Sequence, residues 1–215
     1  MEQILHLYAL PYDPHFPVVC FDERPCFLIG DIVAPFAAQP GKVAKEHYAY
    51  SKHGSCALLA SIEPLTGQRL AKVHAHRTKK EYALFLRDLQ ALYPKAIKIR
   101  LVQDNLNTHN LSSLYETFPA DQAFALAQRF EFLYTPKSAS WLNMIEIEFS
   151  ALSKQCLCQR IQSMDKLETE VLAIVKERAE KKILINWQFS IEAARTKLNS
   201  KYQKVNNEHI KYQKT

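Results

Sequence analysis

The change of hydrophobic period at Lys79 restricts this chain to a fold that mixes strands and helices. Before Lys79, the apolar residues form strand-like runs at 18–22, 26–30, 55–63 and 69–76. From Lys79 onward, the apolar side chains between Tyr82 and Leu92 recur at helical spacing. This spacing predicts an amphipathic helix over 79–93 that ends before Pro94.

Strand-like and helical segments alternate through the rest of the chain. Alternating apolar residues predict a strand over 97–104, and the sequence FEFLY predicts another over 130–134. Helices are predicted over 119–128, over a longer stretch that begins with Ser138 or Ser140 as its N-cap, and over 164–182, where Leu167, Val171, Ile174, Val175 and Arg178 carry the pattern. The order of elements predicts an α/β fold with a mixed central sheet flanked by helices.

Turn-forming residues predict how the first strands are connected. Glu23-Arg24-Pro25 predicts a turn between two adjacent strands. Residues 34–54 read as a surface loop with a short strand near Tyr48. The turn at 64–67 predicts a hairpin between the runs 55–63 and 69–76.

The length of 215 residues corresponds to a single domain with short extensions. Residues 1–16 are punctuated by prolines and are too few to fold alone, so they are interpreted as a leader segment. One domain is predicted over 17–200, and 201–215, rich in lysine, asparagine and glutamine, are predicted to form a C-terminal tail.

Composition excludes several classes of protein. Hydrophobic residues make up 47% of the chain and glycine occurs 4 times, which excludes disordered and collagen-like chains. No apolar run approaches the roughly 20 residues that a membrane-spanning helix needs, and the N-terminus lacks the features of a signal peptide. The 5 cysteines contain no CxxC pair and are predicted to be reduced thiols of a cytosolic protein. The net charge of +6 fits a polyanionic partner but does not require one.

Carboxylates end or flank three of the apolar elements. Asp22 ends the first strand, Asp104 ends the strand at 97–104, and either Glu146 or Glu148 lies early in the long helix. Strand ends and helix termini of an α/β sheet meet at one edge, so these acids are expected to converge. Converging carboxylates repel one another unless divalent cations lie between them, which predicts a two-metal phosphoryl-transfer site. Any one strand-end aspartate, taken alone, more often caps a loop.

Helical periodicity does not decide between the two glutamates. They fall on opposite edges of the buried stripe formed by Leu142, Ile145, Phe149, Leu152 and Cys156. Glu146 shares its edge with Asn143 and Ser150, a polar neighbourhood that suits a hydrated metal site. This neighbourhood slightly favours Glu146.

Three motifs contain these acids, in the order PVVCFDE, LVQDNLNTH and YTPKSASWLNMIEIEFSALSKQCL. In these motifs the chain resembles the catalytic domain of mariner-superfamily insertion-sequence transposases, in particular the bacterial IS six-thirty family. The resemblance runs from about Tyr12 to Tyr202. It implies a ribonuclease-H-like fold and a DDE superfamily endonuclease, whose Asp-Asp-Glu triad binds two Mg²⁺ ions with Mn²⁺ as a substitute.

Matched motif by motif, the implied triad is Asp22, Asp104 and Glu146, because LNMIE corresponds to the family's Leu-Asn-Pro-Ile-Glu. Met144 stands where mariner relatives usually have proline, and the stretch between Asp104 and Glu146 is longer than in eukaryotic members. Neither departure removes a ligand.

Four other polar residues lie close to the triad in sequence. The resemblance places Asn105 and His109 beside the metals, where His109 would contact a phosphate or orient a ligand; shaping the turn after the strand is an equal alternative. Lys137 precedes the Glu146 helix and is a candidate for neutralising DNA phosphate, and Asn143 is a candidate for contacting DNA or supporting the triad. Glu23 is expected to face away from Asp22, on the other side of its strand.

The resemblance predicts a Mg²⁺-dependent endonuclease and strand transferase that acts in the bacterial cytoplasm, at the nucleoid, on transposon ends and on target DNA at TA dinucleotides. Relatives carry upstream helix-turn-helix modules that recognise inverted repeats, so a separately encoded module of this kind and a homodimer are the other partners considered. A noncatalytic remnant that binds DNA or inhibits intact transposase is the first alternative. Another ribonuclease-H-like nuclease is the second.

Overall fold

The structure, a computed structural model, describes residues 1–204. Its strands are β1 Val18–Asp31, β2 Tyr50–Ile62, β3 Arg69–His74, β4 Ile99–Gln103 and β5 Phe130–Tyr134. Its α-helices include α1 Glu2–Tyr8, α2 Lys79–Ala91, α3 Ser112–Thr117, α4 Ala120–Gln128, α5 Ile145–Gln155, α6 Met164–Glu180 and α7 Ile191–Lys197. The predicted mixed sheet flanked by helices is therefore present.

The strands form one sheet in the order β3-β2-β1-β4-β5. β2 pairs antiparallel with β1 and with β3. Its pairing with β3 confirms the hairpin expected between the runs 55–63 and 69–76. β4 pairs parallel with β1 and with β5. The central strand β1 thus has an antiparallel neighbour on one side and a parallel one on the other.

The two faces of the sheet carry two separate hydrophobic cores. Side chains of α2 and α4 pack on one face, around Phe21, Leu59 and Leu101. Side chains of α1, α5 and α6 pack on the other face, around Cys20, Leu58 and Val102. Neighbouring residues of β1 therefore point into different cores, as the alternation of side chains along a strand requires.

The predicted turn at Glu23-Arg24-Pro25 is wrong, because β1 runs through these residues as one strand of 14 residues. Pro25 lies opposite Ala57 of β2. The pairing of β1 with β4 ends at Cys20, so beyond this point β1 has a partner strand on one side only. A proline, which has no backbone N–H to donate, is tolerated at such an open edge.

Two other predicted boundaries are also wrong. No separate strand forms near Tyr48 within the described residues; β2 begins at Tyr50, and the exposed loop before it contains only isolated bridges. The long helix does not start at Ser138 or Ser140. Ser138 has a φ of 61°, which is not helical, and a 3₁₀ turn over Ser140–Leu142 precedes the start of α5 at Ile145.

The leader segment contains α1, which packs onto the domain through buried Ile4, Leu5 and Leu7. Glu2 also forms an ion pair with Arg195 of α7 at 2.8 Å. Of the predicted tail over 201–215, the stretch 205–215 lies outside the described residues. Among residues 1–204, no helix combines the length and the apolar character that crossing a membrane would require.

Candidate active site

The pairing of β1 with β4 brings the first two predicted acids to one end of the sheet. Cys20 lies opposite Val102 in this parallel pair, and both side chains point into the core beneath α5. Asp22 follows Cys20 by two residues, and Asp104 follows Val102 by two residues. Because side chains alternate along a strand, Asp22 is directed to the face that α5 covers, while Asp104 lies just beyond the last residue of β4 at the same end of the sheet.

The start of α5 is attached to β1 beside Asp22. Asn143, which is 1% exposed, donates a hydrogen bond of 2.8 Å from Nδ2 to the carbonyl oxygen of Phe21. Glu146 lies in the first turn of α5 and is exposed. The buried side chain of Asn143 thus holds the start of α5, which carries Glu146, against the strand that carries Asp22.

The three carboxylates influence one another electrostatically. Burial raises the pKa of Asp22 from 3.8 to about 7, and the negative charges of Asp104 and Glu146 add to this increase. The backbone N–H of Glu23, which donates to Asp22 Oδ1 at 2.8 Å, acts in the opposite direction. The positive charge of His109 also lowers it, so the raised pKa of Asp22 reflects mainly burial, with a smaller contribution from the two neighbouring carboxylates.

The donor atoms at this edge fit a divalent metal, since Mg²⁺ and Mn²⁺ prefer carboxylate oxygens. Within residues 1–204, however, no three histidine, cysteine, aspartate or glutamate side chains are already gathered in the arrangement of a metal site. The chemistry of Asp22, Asp104 and Glu146 thus suits a metal, while their side chains are not drawn together around one point.

His109 holds Asp104 from the opposite face of the sheet. Its ring is 0% exposed, with Nδ1 2.5 Å from Asp104 Oδ1 and Nε2 3.7 Å from Glu23 Oε2. The ring stacks on Tyr82 at a centroid distance of 4.9 Å. Burial lowers the pKa of His109, but the hydrogen bond to Asp104 and the nearby carboxylate of Glu23 outweigh it and raise the pKa from 6.5 to about 9.

Glu23 lies on the face opposite Asp22, as its position in the strand predicts. Its side chain is 4% exposed and accepts a hydrogen bond of 3.2 Å from Arg77. Arg77, Glu23, His109 and Asp104 thus form a chain of alternating charge that ends at a residue of the predicted triad. Of the two roles considered for His109, this contact supports orienting Asp104.

Replacing His109 with glutamine is expected to give a pH-dependent loss of stability. Because folding raises the pKa of His109 from 6.5 to about 9, the protonated ring stabilises the fold fully below pH 6.5 and loses this effect as the pH rises through 9. Urea denaturation should show a deficit of about 1–2 kcal/mol for His109→Gln at pH 6 that shrinks toward pH 9.5. His15→Gln, an exposed histidine, is the control; a deficit that is constant over this range would contradict the prediction.

A surface cavity of about 590 Å³ opens beside Asp104. Asn105 and Lys137 line it and are exposed, and Tyr134 forms part of its wall. Asn105 and Lys137, both candidates for contacting DNA, thus lie around the same cavity as Asp104 of the predicted triad. Trp141 lies outside this lining and packs edge-on against Phe189 at a centroid distance of 5.4 Å.

The structure distinguishes Glu146 from Glu148, which helical periodicity does not. The carboxylate of Glu148 is 2% exposed and is held by Arg69, with Nε 2.9 Å from Oε1, and by Arg178, with Nε 2.8 Å from the same oxygen. The sequence alone identified neither arginine as a partner of an acid. The signal was available for Arg178, since an arginine within an apolar helical face indicates a buried counter-charge.

One protein-family model, described as DDE superfamily endonuclease, matches residues 17–168. The matched stretch contains all three predicted acids, His109 and Glu148, and it ends inside α6. A comparison with curated proteins gives no match.

Solved structures of Mos1 complexes are similar to this chain in fold. A pre-cleavage Mos1 transpososome has a TM-score of 0.53 at 15% identity, over 87% of this chain and 61% of that chain. The Mos1 mariner paired end complex with Mn has a TM-score of 0.51 at 15% identity, with the same shares covered. A Mos1 paired-end complex with the left transposon end has a TM-score of 0.51 at 16% identity, over 85% and 58%.

The chain thus spans about three fifths of the length of these Mos1 chains. At this level of identity the likeness concerns the fold, and it confirms the ribonuclease-H-like arrangement of the sheet and its helices.

Proposed function

Because the chain belongs to the DDE superfamily endonucleases, we propose that it is the catalytic part of a cut-and-paste DNA transposase. It would cleave DNA at transposon ends, and the released 3′-hydroxyl would attack target DNA at the same carboxylate site. TA dinucleotides, implied by the resemblance to mariner relatives, are the proposed target.

The observation that supports this proposal is the mutual influence of three carboxylates carried by β1, by the end of β4 and by α5. Burial together with the charges of Asp104 and Glu146 raises the pKa of Asp22 to about 7. Like charges that lie close together weaken a fold, and among residues 1–204 only one of the three acids, Asp104, forms an ion pair, with His109. Function, rather than stability, is therefore the better account of why these acids lie together.

Asp22, Asp104 and Glu146 are the proposed ligands of two Mg²⁺ ions, with Mn²⁺ as a substitute. When bound, such ions lower the pKa of water and stabilise charge on phosphate oxygens. His109 would keep one oxygen of Asp104 fixed, and Asn143 would keep the start of α5 against β1. Lys137 and Asn105 line the cavity beside Asp104, where they would contact the phosphates of DNA.

The proposed partners follow from this activity. Transposon-end DNA and target DNA are the substrates, a homodimer would bring two ends together, and a separately encoded helix-turn-helix subunit would recognise inverted repeats. The similar Mos1 structures are paired-end complexes, one of them with the left transposon end, and a transpososome, which supports transposon-end DNA as a substrate. The proposed place of action is the bacterial cytoplasm, at the nucleoid.

Calorimetric titration with Mg²⁺ and with Mn²⁺ tests the proposal before any DNA is added. At pH 8, above the pKa of Asp22, the wild-type protein is expected to bind two ions. Asp22→Ala and Glu146→Ala should each lose at least one of them, while Glu168→Ala, an exposed acid of α6, should bind as the wild type does. Absence of binding by the wild-type protein would contradict the proposal and favour the noncatalytic DNA-binding alternative.

A further inference from the structure

A buried cluster of one acid and two arginines joins three elements beneath the candidate active site. Glu148 of α5 accepts two hydrogen bonds from Arg69 of β3, at 2.9 and 3.2 Å, and two from Arg178 of α6, at 2.8 and 3.1 Å. The side chains of Glu148 and Arg69 are 2% and 1% exposed, and that of Arg178 is 12% exposed. Both oxygens of the acid are thus held, each from two directions.

Arg69 is fixed in turn by the backbone around it. Arg69 donates to the carbonyl oxygens of Gly67 and Ile183, both at 2.7 Å. Gly67 adopts a φ of 77°, and a Cβ atom at this position would come within 3.1 Å of the carbonyl oxygen of Ile183 and 3.2 Å of Arg69 itself. The turn before β3 therefore leaves just enough room for the guanidinium group that holds Glu148.

Such a cluster is poorly explained as a source of stability alone. Removing a carboxylate and two guanidinium groups from water costs about as much free energy as their mutual attraction returns, and apolar side chains of similar volume often do as well. What a planar guanidinium adds is geometry, because its paired N–H groups fix the direction of the carboxylate. The cluster thus determines how α5 is rotated about its own axis.

The rotation of α5 decides where Glu146 points. Glu146 and Glu148 are two residues apart, so their side chains diverge by about 200° around the helix. When Glu148 is directed inward to Arg69 and Arg178, Glu146 is directed outward. The first turn of α5 has no side-chain cap, so Glu148 and the bond from Asn143 to Phe21 add the polar contacts that fix its orientation beside the buried apolar stripe.

We propose that Glu148, Arg69 and Arg178 are positioning residues, which set the rotation of α5 and thereby aim Glu146 at Asp22 and Asp104. The inference rests on the proposed function, since it assigns these residues a role only if Glu146 binds a metal. It extends the candidate site to α6, beyond residue 168, where the family match ends.

The test compares Mn²⁺ affinity in Arg178→Lys, Glu146→Gln and the double variant, by calorimetry at a temperature where circular dichroism shows each to be folded. Lysine keeps the charge and loses the paired N–H groups. We expect Arg178→Lys to weaken Mn²⁺ binding 10- to 100-fold, as is usual when the support of a metal ligand is lost. If Arg178 acts through Glu146, the double variant should bind no more weakly than Glu146→Gln alone.

A matched control and a second variant complete the design. Asp88→Asn removes an acid that also pairs with two cations, Lys72 and Arg87, but lies on α2 at the other face of the sheet, and it should bind Mn²⁺ as the wild type does. Glu148→Gln keeps the shape of the side chain and removes its charge, and it should reproduce the loss if Arg178→Lys does not fold.

Three outcomes would overturn the inference, and they are distinguishable. Wild-type affinity in both Arg178→Lys and Glu148→Gln would leave the proposed function intact and remove only the positioning role. Losses that multiply in the double variant would show a general structural effect instead. A wild-type protein that binds no Mn²⁺ would remove the proposed function and the inference together.

Discussion

Asp104→Ala is expected to lower the rate of supercoiled-plasmid nicking in Mn²⁺ by at least about 10³-fold, the scale of loss that follows removal of an essential catalytic group. Asp104 has one oxygen bound to His109 and lies on the wall of the cavity of about 590 Å³ where DNA is proposed to bind. Its removal would take away a proposed metal ligand and leave the buried ring of His109 without this hydrogen-bond partner. The measurement is the initial rate of conversion of supercoiled to open-circular plasmid.

Asp121→Ala provides the control for this experiment. Asp121 is an exposed acid in the first turn of α4, so the same substitution there should leave nicking unchanged. Both variants and the wild-type protein need to be purified in parallel, so that a contaminating nuclease would appear equally in all three. Equal rates for Asp104→Ala and the wild type would contradict the assignment of Asp104.

Asp22→Asn is expected to stabilise the metal-free protein at pH 8 by about 2 kcal/mol while it abolishes activity. Folding raises the pKa of Asp22 from 3.8 to about 7. The unfolded chain therefore releases this proton first, so the free energy of unfolding falls as the pH rises from 4 to 7 and stays low above that. An asparagine, which has no charge to bury, avoids the penalty. Urea denaturation in EDTA measures the difference.

The stabilisation should follow the charge of Asp22. It should fade as the pH falls through 3.8, where the carboxyl group becomes protonated in the unfolded state as well. It should reverse when saturating Mn²⁺ is added, because the ion stabilises only a protein that binds it. Glu168→Gln, on the exposed face of α6, should change stability little at any pH. Destabilisation of metal-free Asp22→Asn at pH 8 would show that the acid is compensated by other groups.

Local sequence pattern was sufficient for elements whose burial follows a simple period. The helix predicted over 79–93 is α2 Lys79–Ala91, and FEFLY forms β5 Phe130–Tyr134 as expected. The pattern failed at Pro25, since whether a proline ends a strand depends on whether the neighbouring strand is present at that point. The short α3 Ser112–Thr117 was also missed, because six residues carry too little periodicity to be detected.

The predictability of the candidate site divides in a similar way. The parallel pairing of β1 with β4 brings Asp22 and Asp104 to one end of the sheet, but this pairing joins residues far apart in sequence. The role of Glu148 was beyond reach for the same reason, since Arg69 lies 79 residues before it and Arg178 lies 30 residues after it. The buried stripe of α5 was predicted in full; the partners of its one buried acid were not.

The place of Arg178 on α6 also bears on how this chain can be divided for experiments. A fragment cut where family similarity ends, at residue 168, would contain every proposed metal ligand. It would lack Arg178, one of the two partners of Glu148, and Val171, which is part of the hydrophobic core. In such a fragment Glu148 would keep the two hydrogen bonds from Arg69 and lose the two from Arg178, and a polar group that loses its partners in an interior is costly. The family match therefore ends at residue 168, whereas the residues that pack into the core continue along α6 beyond it.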